Sequence, residues 1–104
     1  MHKDFFLLKN YISLKDHDAL ILESTSVLRK ASWNKDHFDS VIKNFKEITL
    51  GPVSLSRFPH IAGLYNRIKK DFFSGKQMQD PHILKLASDG YILPHVDHVA
   101  YLIK

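Results

Sequence analysis

An imidazole and a carboxylate stand two residues apart at His95-Val96-Asp97, directly after Tyr91-Ile92-Leu93-Pro94. The segment reads as a strand, and alternate residues of a strand project to the same face. The two Cβ atoms are then expected roughly 6–7 Å apart, about twice the rise per residue. Ligands with that reach can close on one metal ion. Completed by a further histidine, a His-x-Asp pair makes the facial triad that holds non-haem Fe(II) in oxygenases and leaves three positions open for co-substrate and oxygen. The chain carries seven histidines, so such a pair arises readily by chance. On the triplet alone, a strand-end histidine bonded to a nearby carboxylate, or two solvated side chains, is the stronger reading. The surroundings shift the balance toward a metal. Asp89-Gly90 favours a tight hairpin, and Pro94 suits an edge or terminal position. In a regular strand Tyr91, Leu93, His95 and Asp97 share one face. Both ligands would then stand at the mouth of an apolar barrel interior, the shaped and partly dry setting a metal requires.

The remaining polar residues point less clearly to chemistry. His98 follows the carboxylate directly and faces away on a regular strand. His37 with Asp36 and Asp39 reads as a solvated loop cluster, and His60 and His82 as surface or satisfied-core residues. Lys69-Lys70 reads as the wet face of a helix before it reads as a nucleic-acid contact. No Gly-rich phosphate loop and no nucleophile elbow is present in the sequence.

These groups must be positioned by a small fold. The 104 residues suffice for one domain, and 44% apolar content with seven Phe argues for a packed core. Net charge is +4 and scattered, which permits phosphate contact without announcing it. With no cysteine, disulfides and thiolate metal sites are excluded. No apolar run reaches the roughly 18 residues of a membrane span. The opening Met1-His2-Lys3-Asp4 carries an acid and does not read as a signal or transit peptide.

Along the chain, Phe5-Phe6-Leu7-Leu8 predicts a short buried strand. Ser13 with Asp16 three residues on makes a shortened capping box, with Ile12 as its staple, opening a helix that runs to about Lys30. Trp33, Phe38, Phe45, Phe72 and Phe73 are expected in the core. Residues 34–40 read as irregular, and residues 41–49 as a strand ending at Gly51-Pro52. A second helix is expected from Pro59, with Ser56 as a cap and Gly75 as its stop. Residues 82–87 predict a strand, Ser88-Asp89-Gly90 a hairpin turn, and residues 91–96 the returning strand.

Three blocks carry a resemblance to a known family. They are Tyr11-Ile12-Ser13 with the helix after it, the run from Asp36-His37-Phe38-Asp39 to Glu47, and His82-Ile83-Leu84-Lys85-Leu86 with Asp89-Gly90-Tyr91-Ile92-Leu93-Pro94-His95-Val96-Asp97. In order and spacing they resemble the AlkB-like Fe(II)/2-oxoglutarate dioxygenases, in particular the mitochondrial branch called AlkB homologue seven. The resemblance implies an α+β fold in which N-terminal helices pack on part of a double-stranded β-helix, or jelly roll. It implies His95 and Asp97 as ligands of Fe(II), with 2-oxoglutarate and O2 as co-substrates of an oxidative hydroxylation or demethylation. The branch is associated with mitochondria, regulated necrosis and fatty-acid metabolism, and a protein or RNA substrate is expected before duplex DNA.

The family also needs a second iron-binding histidine and an arginine for the far carboxylate of 2-oxoglutarate, both from strands beyond the position of Asp97. No such strands follow before Lys104. Residues 1–104 are therefore expected to be one incomplete dioxygenase domain, the N-terminal half, inactive alone. A bidentate arginine–carboxylate pair is not replaced by a stray lysine. Two rival expectations stand beside it. One is a non-catalytic interaction module, a truncated isoform pairing its strand edge with another chain. The other, resting only on charge and aromatics, is a small RNA-binding protein.

Overall fold

The computed structural model describes residues 7–36 and 40–95. Within them the chain runs α1 (Leu14–Leu28), β1 (Asn34–Asp36), β2 (Ile42–Thr49), α2 (Pro52–Leu55), α3 (Pro59–Phe73) and β3 (His82–Ile92). The three strands form one antiparallel sheet in the order β1-β2-β3. The class is α+β, as the sequence implies; the described sheet has three strands.

Helix α1 starts where its cap predicts. Ser13 is extended and its hydroxyl accepts a hydrogen bond from the Asp16 amide at 3.1 Å, satisfying one of the donors a helix start leaves open. Toward its end Val27 and Leu28 are buried. Val27 meets Leu50 and Ile61 in the central cluster, with Leu20, Ile48, Leu55, Phe58 and Ile83 packed around it. Ile48 lies directly opposite Ile83 on β3, and cross-strand partners share a face, so this face of the sheet meets the helices. Phe45 on β2, with 1% of its surface exposed, is the most deeply buried of the core side chains.

Helix α3 begins at Pro59 as expected but is capped differently. Phe58 offers no side-chain oxygen, and the Ser56 hydroxyl donates to the Val53 carbonyl within the preceding turn. At the far end Ser74 and Gly75 both take left-handed φ, 50° and 77°, and the Gly75 amide donates to the Lys69 carbonyl, a glycine-assisted stop.

Several expectations are corrected. Asn34–Asp36 is a strand, because an edge strand needs only its backbone to pair. Leu7 and Leu8 lie outside any strand and are exposed, whereas Phe5 and Phe6 lie outside the described residues. Trp33 is 52% exposed, its ring lying 4.8 Å from the Lys46 ammonium. Phe72 and Phe73 are also exposed, Phe72 tilted against Tyr11 with centroids 5.7 Å apart. Phe38 lies outside the described residues.

The largest correction concerns Ser88-Asp89-Gly90. The segments on either side do not pair with each other. Both pair with β2, and β3 is one strand from His82 to Ile92. The ladder Phe45↔Leu86 to Thr49↔His82 is regular, then jumps to Lys43↔Tyr91 and Ile42↔Ile92. Asn44 alone therefore faces residues 87–90. This wide excursion is a bulge in function, adding residues on one strand and bending it.

Candidate functional site

His95 sits just past the end of β3. The Leu93 amide donates to the Val41 carbonyl at 2.7 Å, so pairing with the segment leading into β2 persists to within two residues of the imidazole. The His95 ring is exposed, and its Nδ1 lies 2.8 Å from the Leu93 carbonyl oxygen. A carbonyl only accepts, so Nδ1 carries the proton. A neutral ring protonated there has its lone pair on Nε2. Asp97 and His98 lie outside the described residues, as does His37. Among the described residues no cluster of three or more His, Asp or Glu side chains has the arrangement to hold a metal. Of the two expected ligands, His95 is thus placed as an exposed side chain just past the end of β3.

Elsewhere on the sheet, polar side chains pair across the strands. Lys43 lies directly between Asp36 on β1 and Tyr91 on β3. Its ammonium donates to the Asp36 carboxylate, and that hydrogen bond, followed by the attraction of the same carboxylate, raises the Lys43 pKa against a smaller desolvation effect. At the opposite end of the ladder His82 Nε2 stands 2.9 Å from Glu47 Oε2. The two are diagonal neighbours on adjacent strands, since Glu47 pairs with Leu84 and His82 with Thr49. Both pairs are ordinary cross-strand polar contacts.

A second polar centre joins the helices. Glu23 of α1 places Oε2 3.0 Å from the His60 amide and Oε1 2.9 Å from the Ile61 amide, and its Oε2 also accepts from His60 Nδ1 at 2.8 Å. The carboxylate thereby caps α3 from another helix and meets the positive end of its dipole. Partial burial opposes its ionisation, but the two amides and then the His60 ring outweigh that and hold the carboxyl below its ordinary value. Beside this cap, Ile12, Asp16, Leu20, Pro59, His60, Gly63, Leu64 and Arg67 line a cleft between α1 and α3. Arg67 also lies over the Tyr11 ring, 3.9 Å from its centroid, and the Tyr11 hydroxyl donates to Asp71 at 2.6 Å. Desolvation and then that bond to a carboxylate raise the Tyr11 pKa.

Of the sequence-derived pair, then, the structure describes His95. His60 and His82 are surface residues, as expected, and each pairs with a glutamate. Sequence reasoning missed Glu23. Nothing local marks it, because its partners lie 37 and 38 residues away.

With this geometry in view, the similarities to known proteins have a structural frame. They fall among dioxygenases. Over 94 residues the chain is 28% identical to the mitochondrial alpha-ketoglutarate-dependent dioxygenase alkB homolog 7 of Bos taurus, and over 93 residues 29% identical to that of Mus musculus. Each match covers 88% of this chain and 40% of the relative. The chain thus spans well under half the length of these relatives. No family model matches it, and no solved structure matches it. No helix among the described residues is long and apolar enough to cross a membrane.

Proposed function

We propose that this chain is part of an AlkB-type Fe(II)/2-oxoglutarate-dependent dioxygenase, and that it contributes His95 and Asp97 to the iron site. The observation that carries this reading is the similarity to two mitochondrial dioxygenases along 88% of the chain. The exposed His95 just past the end of β3, with Nδ1 against the Leu93 carbonyl, is compatible with it. On this reading the sheet of β2 and β3 is a portion of a double-stranded β-helix, and α1 and α3 back it. Bound iron would supply the oxidising chemistry, with 2-oxoglutarate and O2 as co-substrates. The chain's own part is to hold one edge of the metal through an imidazole and a carboxylate. On this reading the remaining metal ligand and the group that binds 2-oxoglutarate would lie outside the matched stretch, which covers 40% of each relative. The proposed location is mitochondrial, after the relatives' names.

Two protein ligands hold a metal loosely, so the 104-residue chain should bind Co(II), a spectroscopic substitute for Fe(II), weakly and without turnover. Titration followed by visible absorbance is expected to show binding that His95→Ala abolishes, with no succinate formed from 2-oxoglutarate. Identical titrations for the wild type and His95→Ala would remove His95 from the site. Succinate formed by wild type and lost in His95→Ala would show instead that the chain is catalytically complete.

A further inference from the structure

The jump in the β2–β3 ladder bears directly on His95. Between Phe45↔Leu86 and Lys43↔Tyr91, β2 advances by two residues while β3 advances by five. The excess of three is odd. In an unbroken register the even-numbered residues of β3 would keep facing the odd-numbered residues of β2. Beyond the excursion the odd-numbered set does: Tyr91 faces Lys43, and Leu93 bonds to Val41. A slip of odd length moves a strand's whole alternating set to the other face. The excursion therefore decides which set of side chains, Tyr91 and Leu93 or Ile92 and Pro94, stands with Lys43, and from which set the chain passes to His95.

Two residues lock it. Asn44 lies in the left-handed region at φ 52°, which asparagine tolerates and β-branched residues do not. Gly90 packs its bare Cα against the β2 backbone. A Cβ there would stand 2.4 Å from the Asn44 carbonyl oxygen and 2.8 Å from that of Lys43, with the Ala87 nitrogen at 3.0 Å. All three are main-chain atoms within one ladder and cannot swing aside.

We propose that Gly90 is a positioning residue for the metal ligand: with Asn44 it sets the register of the last rungs of β3, and so the placement of His95. This rests on the reading of His95 as a ligand, but it has a metal-free signature. The Leu93 amide bond to Val41 reports the far ladder, and the Nδ1–H tautomer of His95, anchored on the Leu93 carbonyl, reports the imidazole.

The test compares Gly90→Ala, Asn44→Val and Asn44→Gly with the wild type by amide exchange, by ¹⁵N shifts of the His95 ring, and by Co(II) titration. Gly90→Ala and Asn44→Val are expected to lower Leu93 amide protection about tenfold or more while the rungs from Ile48↔Ile83 to Thr49↔His82 keep theirs. Both should also mix the His95 tautomers and weaken Co(II) binding. Asn44→Gly, which accepts positive φ freely, should match the wild type in all three. If Gly90→Ala fails to fold, Asn44→Val and Asn44→Gly still decide between outcomes. Unchanged Leu93 protection and His95 shifts in Asn44→Val, or in a folded Gly90→Ala, would overturn the proposal. A wild type that binds no Co(II) through His95 would overturn the dioxygenase reading instead, and the exchange and ring-shift data would still judge the register.

Discussion

Glu23 shows how much one side chain can settle. A helix start leaves its first amides without partners, and in α3 the residue before Pro59 is Phe58, which cannot serve them. Glu23 serves two and takes the His60 ring as well. Replacing it by alanine should cost about 1–2 kcal/mol, the usual loss of a helix cap, measured by urea denaturation at pH 7. The pH dependence has a definite sign. The folded-state pKa is lowered from 4.5, so the unfolded chain binds the proton more readily. The stabilisation is complete above the unfolded value and is lost as pH falls through the lowered one. The gap between wild type and Glu23→Ala should therefore be widest near neutrality and should narrow below about pH 4.5. A gap that stays constant down to pH 3 would show that the carboxylate charge is not what matters. His95 is the counterpart at this scale: the His-x-Asp spacing singles it out as a candidate, while the contact of its Nδ1 with the Leu93 carbonyl is visible only in the fold.

At the scale of elements, the sequence carried the two long helices, β2 and the strand character of residues 82–87, but not how the strands pair. Ser13, Pro59 and Gly75 mark helix ends through chemistry confined to a few neighbouring residues, and each lies at or beside the predicted boundary. Asp89-Gly90 misled for the same reason. The dipeptide favours a tight reversal, but what the flanking segments pair with is decided by β2, whose rungs lie 33 to 50 residues earlier in the chain. Asn34–Asp36 was illegible because its polar side chains say nothing about a backbone that pairs at an edge. Helix α3 offers a direct test of local energetics. Gly63 lies in its middle and lines the cleft facing α1, and a Cβ there would meet nothing within 4 Å. Gly63→Ala should thus gain the helix-propensity difference, about 0.5–1 kcal/mol, visible as a higher urea midpoint at unchanged slope. A loss of stability would mean that α1 and α3 lie closer together than the cleft indicates.

For the whole molecule, the described core is thin. Its buried apolar side chains are Val27, Leu28, Phe45, Leu50 and Ile61, while Leu14, Leu22 and Val53 are largely exposed. Small domains retain only a few kcal/mol of net stability. Phe45→Ala, on the central strand, should cost about 3–5 kcal/mol, comparable to that whole reserve. We expect its circular dichroism melt to lose cooperativity at 25 °C, whereas a melt like the wild type's would place the stabilising contacts elsewhere. The α+β class followed from the family resemblance and agrees with the helices and strands observed. The exposure of Trp33, Phe72 and Phe73 was not, because composition reports how apolar a side chain is and not whether anything lies against it.

The carboxylate that closes the first turn of α3 also dictates an order of events. Because α3 borrows its cap from α1, the first turn of α3 gains that stabilisation only once α1 lies beside it. During synthesis α1 precedes α3, so Glu23 is already made when the His60 and Ile61 amides that it accepts from emerge. Slow steps in folding should then follow the meeting of the two helices rather than the winding of either.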